Sequence, residues 1–316
     1  TPPPRLTLPP TVALSAKARG KQPASASQRI VFAPAPEALV VIAFNTLGLR
    51  DHDDATRDEW AVAAEVLASA DVLLLSEVPP AALRKRVPTL KAQLEAASGV
   101  TWSWLHSLPC TGGAVGGKVE HHVALAKAPL ELAASQTLSS IGGCKLDYGL
   151  FTVRVEGHAL ACNGEVMDVV LSSLHMPPAK RASMRDRQLE RLLTQYPQQA
   201  DARLATPFGA HAAHEARRPF CAHALLGDFN RHPGELLTPE WRALIPRAAA
   251  TSGGGGAYDN IVVSADTAER ANCSWEVLRL DHYANARTGQ KGISDHAPVQ
   301  LTLKSIGSGG YAHRAR

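Results

Sequence analysis

No run of apolar residues in this 316-residue chain approaches the roughly 18 that a helix needs to cross a membrane, so a helical span is not expected. Acids are missing from the first 36 residues, which carry Arg5, Lys17, Arg19, Lys21 and Arg29 among many Pro, Ala and Ser. Such a composition cannot bury enough apolar surface to offset its ordering entropy, and a disordered basic segment is expected over 1–36. Cysteine is scarce and poorly placed for zinc. Cys110, Cys144, Cys162, Cys221 and Cys273 fit no metal spacing, and an odd count leaves at least one thiol unpaired within the chain. One or two disulfides stay open, and so does the compartment. The stretch "TSGGGG" (251–256) lacks the Lys and Ser/Thr of a P-loop and reads as a flexible lead-in to Tyr258. There is no internal repeat. The chain starts at Thr1 rather than Met, which admits a removed leader and a secreted or periplasmic location.

What is present is ordinary for a globular protein: 45% hydrophobic and 20% charged residues. The net charge of +4 needs dissection. Five cations lie ahead of residue 37 and three after Leu303, so the body between them is slightly acidic. A pI of 8.8 is therefore no sign of a nucleic-acid groove, although the tails could hold a polyanion nearby. A body over 37–304 and a flexible basic tail over 305–316 are expected.

Within the body, "LVVIAFN" (39–45) and "DVLLLSE" (71–77) are unbroken apolar runs, as in strands buried on both faces. Between them Thr56 and Glu59 fit a capping box, and Trp60, Ala63, Ala64 and Leu67 share a helical face. "LFTVRVE" (150–156) alternates and reads as a half-exposed strand. "DVVLSSLH" (168–175) is a strand, followed by a helix with Leu189, Leu192, Leu193 and Tyr196 in register and with the charges of "RDRQLERLL" on a solvated face. "AHALLGD" (222–228), "DNIVVSA" (259–265) and "APVQLTL" (297–303) are further strands, and 201–220 reads as a surface insertion. Strands outnumber helices, and helices fall between them: a layered sheet protein with covering helices.

The chemistry gathers at strand margins. Asn45, Glu77, His175, Asp228 and Asn230 close apolar runs; Asp259 opens one, and Asp295 and His296 stand in the loop before another. Asp228 and Asn230, two apart in "GDFN", can reach one small volume beyond the sheet. Each alone has a plain reading as a turn residue or cap. Their repetition with complementary chemistry does not.

The fragments "FN", "SE", "LH", "GDFN", "YDNI" and "SDHAPV" stand in the order of the endonuclease/exonuclease/phosphatase superfamily, and over about residues 38–304 the spacing most resembles deoxyribonuclease I. The resemblance implies an α/β fold of the α+β kind: a four-layer αββα sandwich, two packed mixed β-sheets flanked by helices. It implies a hydrolase of phosphodiesters that uses Mg²⁺ or Mn²⁺, with Asn45, Glu77 and Asp295 at the metal and Asn230 donating to a phosphate oxygen. It also picks out Glu120, in "GGKVEHHVAL", as the carboxylate that orients His175. Asp259 with His296 would then be the base that activates water, Glu120 with His175 the acid at the leaving group, and Asp228 the group that orients the water or holds a second metal. The two histidines could exchange roles. The reading requires His175 and His296 to face one volume, and Glu77 and Asp295 to be close enough to share an ion.

Departures bear on the substrate. Pro79 replaces an arginine, Lys118 an aromatic, and Gly256 a disulfide cysteine of the pancreatic-type enzymes, which puts double-stranded DNA in doubt. DNA is the expected partner, as substrate of an endonuclease that is a monomer. The rivals are a sphingomyelinase-like lipid phosphodiesterase, favoured by long apolar loops of which none is seen, or a phosphatase, and a non-catalytic binding protein on this fold, whose mark would be the loss of a metal carboxylate or of either histidine. The clustered acids of 50–59 could hold a structural Ca²⁺, but a helix N-terminus accounts for them more simply. "HAAH" (211–214) with Cys221 and His223 fits no standard zinc pattern and reads as a solvated loop.

Overall fold

The apolar runs around Val41 and Leu74 are neighbouring parallel strands in mid-sheet, as their doubly buried character requires. The computed structural model describes residues 38–49, 54–111, 119–158, 160–162, 165–166, 168–204, 221–252, 256–279 and 293–306, all within one compact unit, Pro34–Arg316. In chain order the strands are β1 (Ala38–Asn45), β2 (Val72–Val78), β3 (Trp102–His106), β4 (Cys110–Thr111), β5 (Val119–Lys127), β6 (Glu131–Ile141), β7 (Cys144–Glu156), β8 (Ala161–Cys162), β9 (Glu165–Val166), β10 (Asp168–His175), β11 (Cys221–Asp228), β12 (Trp241–Ala243), β13 (Asp259–Ser264), β14 (Ala271–Val277) and β15 (Val299–Ser305). The helices are α1 (Asp54–Leu67), α2 (Pro80–Ser98), α3 (Ala182–Leu204) and α4 (Ala265–Arg270).

One sheet runs β14-β15-β1-β2-β5-β3 with β4 on β5, and the other runs β12-β13-β11-β10-β7-β6; β8 and β9 form a small ribbon. Each sheet is mixed, with one parallel pair, β1/β2 and β10/β11, among antiparallel neighbours. Successive side chains on a strand point to opposite faces, and the sequence uses both. Leu39, Val41, Val72 and Leu74 pack with Val153, Val169, Leu171, Leu226 and Ile261 into a core between the sheets. On the outer face of the first sheet, Ile42, Phe44, Leu73 and Leu75 meet Trp60, Leu67, Leu83 and Leu90 of α1 and α2. On the outer face of the second, Val170, Leu174 and Leu225 meet Leu189, Leu192, Leu193 and Tyr196 of α3. The fold is the expected four-layer sandwich. Among the described residues, no helix is long and apolar enough to cross a membrane.

Four local expectations are corrected or bounded. Helix α1 begins at Asp54, so Thr56 lies within the helix and not at its N-cap position; residues 50–53 of the acidic stretch lie outside the described residues. Strand β7 is covered on both faces, because Thr152 sits beneath α3 and shares a hydroxyl cluster with Ser172 and Tyr196. The charges of α3 are not all solvated: Arg185 is buried. Helix α3 continues to Leu204, while 205–220, the "HAAH" stretch, Lys118 and both tails (1–37 and 307–316) lie outside the described residues. Cys110, Cys144 and Cys273 are free thiols.

Candidate active site

The inner face of each central strand is apolar for most of its length and turns polar at one end. Leu39, Val41 and Ala43 are followed in phase by Asn45; Ala222, Ala224 and Leu226 by Asp228; Val169 and Leu171 by Ser173 and His175. On β5 the same face reads Ala126, Ala124, His122, Glu120, and on β13 Asp259 precedes Ile261 and Val263. Period-two alternation therefore places Asn45, Glu120, His175, Asp228 and Asp259 at one rim of the layer between the sheets. All are buried. One step behind the rim, His122 Nε2–H donates to the Tyr148 carbonyl (3.0 Å), so its Nδ1 accepts from the Ser173 hydroxyl (2.9 Å). Burial holds this imidazole below its ordinary pKa, although Glu120 opposes the shift.

Glu77 reaches the rim differently. Strand β2 loses register against β5 between Leu75 and Val78, and Glu77 has φ +56°, in the left-handed region. A bulge with one residue in this strained conformation re-aims a side chain, here into the polar cluster. Glu77 Oε1 accepts from Asn45 Nδ2 (3.1 Å) and stands 3.4 Å from His175 Nε2.

Two carboxylate–imidazole pairs face each other. Glu120 Oε1 accepts from His175 Nδ1–H, and Asp259 Oδ2 from His296 Nδ1–H, each at 2.8 Å. That fixes the rings with Nε2 forward. The two Nε2 atoms lie 3.8 Å (His175) and 3.7 Å (His296) from one atom, Asp228 Oδ2, on a residue only 1% exposed. The histidines thus share one volume.

For both rings, burial lowers the pKa but the surrounding acids raise it more. Glu120, then Asp228 and Glu77, bring His175 from 6.5 to about 9. Asp259, then Asp228 and Asp295, bring His296 from 6.5 to about 9. Asp259 is pushed up to about 6, chiefly by burial and against the hydrogen bond from His296.

The asparagines brace this centre. Asn45 Nδ2 donates to both Glu77 and Asp228 (3.1 and 3.2 Å), while its Oδ1 accepts from Leu47 N (3.0 Å). Asn230, at φ +51°, gives its amide hydrogens to the Met176 carbonyl (2.7 Å) and Asp228 Oδ2 (3.0 Å), and its backbone N–H to Asp228 Oδ1 (2.7 Å). Both of its amide hydrogens are engaged, so here Asn230 holds Asp228 rather than presenting a free donor to a phosphate. Asp295 stands apart: it is 63% exposed, with Oδ1 3.8 Å from His296 Nε2.

Several supports were not legible in the sequence. Tyr148 stacks on His175, ring centroids 4.2 Å apart. Arg185 donates to the Asn230 carbonyl (2.7 Å) and so stiffens the turn after Asp228. Thr251 Oγ1 accepts from Asp259 N (2.8 Å) and Thr251 O from Ala297 N (2.7 Å), which ties the strand of Asp259 to the loop of His296. The "TSGGGG" stretch is thus anchored at its first residue. Ser294 Oγ donates to Asn45 O (2.8 Å), and its place one residue before Asp295 was the one available signal.

Among the described residues, two groups offer ligand atoms within 4.8 Å of one another: Glu77, His175 and Asp228, and Asp228, Asp259 and His296. Asp295 belongs to neither. The carboxylate oxygens of Glu77 and Asp228 suit a hard divalent cation, and an imidazole nitrogen beside them suits Mn²⁺ as well, while the Asn45 amide oxygen is taken by Leu47 N.

No family model matches the chain, and no curated protein does. Solved structures do. The human nocturnin catalytic domain with bound sulfate anion has a TM-score of 0.57 at 15% identity, over 87% of this chain and 97% of that one. TDP2 of D. rerio, complexed with single-strand DNA product, gives 0.55 at 16% identity, over 85% and 99%. An endonuclease/exonuclease/phosphatase from Beutenbergia cavernae gives 0.53 at 18% identity, over 85% and 72%. At such identities the likeness is one of fold. It bears out the superfamily's fold without the particular likeness to deoxyribonuclease I.

Proposed function

We propose that this chain, folded as endonuclease/exonuclease/phosphatase proteins are, is a divalent-metal-dependent phosphodiesterase that hydrolyses nucleic acid, with DNA cut internally as its foremost substrate. The observation that carries the reading is the convergence of two oriented imidazoles on one carboxylate, His175 and His296 at 3.8 and 3.7 Å from Asp228 Oδ2. Hydrolysis of a diester needs two proton transfers on opposite sides of phosphorus, and two such pairs supply them. The TDP2 structure that holds a single-strand DNA product supports nucleic acid as the substrate class.

In this mechanism Asp228 holds the attacking water by a hydrogen bond, and His296 Nε2 takes its proton. Asp259 accepts from Nδ1–H, fixes the tautomer and stabilises the imidazolium that forms. The water oxygen bonds to phosphorus as the opposite P–O bond breaks. His175, charged and held by Glu120 and the stacked Tyr148, delivers its Nε2 proton to the departing oxygen. Glu77 and Asp228, bridged by Asn45, would hold Mg²⁺ or Mn²⁺, whose charge when bound neutralises the phosphate and stabilises its oxygens. Asn230 and Arg185 keep Asp228 in place.

The test is one assay across plasmid DNA, RNA, sphingomyelin and a phosphomonoester, with Mg²⁺ or Mn²⁺ and with a chelator. The expected result is nicking of DNA that the chelator stops, and that His296→Ala and Asp228→Ala each reduce by about 10²–10⁴-fold while the protein stays folded. Hydrolysis of sphingomyelin or the monoester with DNA and RNA untouched would overturn the nuclease assignment.

A further inference from the structure

The β6–β7 hairpin and helix α3 enclose an open cavity of about 450 Å³ that the reaction centre does not use. Lys145 lines it from the hairpin, and Arg187 and Arg191 from the helix. The two arginines, four residues apart, occupy one helical face, where like charges repel by a few tenths of a kcal/mol. All three cations are exposed, and none has an ion-pair partner among the described residues. The only acid in the wall, Asp147, is buried and taken by Arg181 Nη1 at 2.7 Å. In a body whose net charge is slightly negative, this is a local concentration of positive charge without a counter-charge. It is also close to the chemistry: Asp147 directly precedes Tyr148, whose ring lies 4.2 Å from that of His175.

We infer that Lys145, Arg187 and Arg191 form a phosphate-binding subsite that holds the nucleic-acid strand on the His175 side of the bond to be cut. The inference rests on the nucleic-acid reading and adds to it the residues that grip the strand beyond the scissile phosphate. Guanidinium forks match phosphate oxygens two at a time, while the lysine acts as a point charge. An open cavity lined by three cations suits a phosphate backbone. Each cation that neutralises a phosphate of a single strand releases counterions, which contributes about 0.7 to the slope of log affinity against log salt.

The experiment is the binding of a fluorescently labelled single-stranded oligonucleotide, by anisotropy without divalent metal, over a series of salt concentrations. Arg187→Ala with Arg191→Ala should lower the salt slope by about 1.4, and Lys145→Ala alone by about 0.7. The control, Arg270→Ala with Lys304→Ala, removes the same charge at the opposite end of the strands, where Lys304 pairs with Ala38 at the start of β1; its slope should equal that of the native protein. Equal slopes in the two double variants, or no binding by the native protein, would overturn the subsite. Hydrolysis of bis(p-nitrophenyl) phosphate by native protein with Mg²⁺ tests the reaction centre separately, since this diester has a single phosphate. If it is hydrolysed while the slopes do not change, the subsite alone falls. If neither it nor nucleic acid is hydrolysed, the functional reading falls.

Discussion

Asp228 Oδ2 accepts from Asn45 and Asn230 and stands within 4 Å of both imidazoles, so its negative charge acts on His175 and His296 at once. Both rings are more basic than free imidazole, rising from 6.5 to about 9, and Asp228 contributes to each shift. A group whose pKa is higher in the folded than in the unfolded chain stabilises the fold fully below the unfolded value and loses that contribution as pH rises through the folded one. The metal-free protein should therefore lose stability between about pH 6.5 and 9, by the order of 1–3 kcal/mol per imidazole at full expression. Urea unfolding at a series of pH values measures this. Asp228→Asn should flatten the profile and shift both imidazole resonances to lower pKa in an NMR titration. A variant with the native pH profile would show that the rings do not feel this carboxylate. How these residues meet was only partly legible in the sequence. The strand-end positions of Asn45, His175 and Asp228 follow from alternation alone. The burial of Arg185, the stacking of Tyr148 and the anchoring by Thr251 do not, because each depends on a partner more than 7 residues away in sequence and on no local periodicity.

At the scale of elements, the site depends on two places where a strand departs from regular geometry. One is the bulge that turns Glu77, which no residue in "LLLSEVPP" announces, since Glu is not a residue that favours a left-handed conformation. The other is Gly227, at φ +136° within β11, opposite Leu174 of β10. A Cβ there would lie 2.2 Å from the Leu174 carbonyl oxygen, so this crossing of backbone against backbone admits glycine only. The opening of "GDFN" thus has a structural cause: the glycine lets β11 close on β10 immediately before Asp228 and beside His175. Gly227→Ala should cost about 2–4 kcal/mol, from strain and from the forced separation of the two strands. In urea this appears as a lower midpoint with an unchanged m-value. Turnover should fall as well, because Asp228 and His175 sit on the two strands that are pushed apart. An alanine variant as stable as the native protein would mean that the β10–β11 crossing is looser than its geometry.

For the whole molecule, the decisive fact is that neither sheet holds the site alone. Asn45, Glu77 and Glu120 come from the first sheet, and His175, Asp228 and Asp259 from the second. The apolar core between the sheets was visible in the sequence as unbroken Val and Leu runs. The convergence of the sheets' polar ends was not visible without the resemblance to a known family, since alternation fixes a residue's face but not which strand end lies over which. Glu77 and Asp228 belong to opposite sheets and both accept from the Asn45 amide, which bridges them, so a cation that took oxygens from both would bind the folded protein and not the separated sheets. Ligand binding of this kind stabilises by about 2.7 kcal/mol at a hundredfold excess over Kd. For a domain of this size, that raises Tm by several degrees. Thermal unfolding with increasing Mg²⁺ or Mn²⁺ should show such a rise, larger at pH 8 than at pH 6, because protons on the site compete with the ion. Glu77→Gln and Asp228→Asn should each remove most of it, although they lie in different sheets. If either variant kept the full rise, the ion would be held by one sheet only, and the two rims would have to act independently.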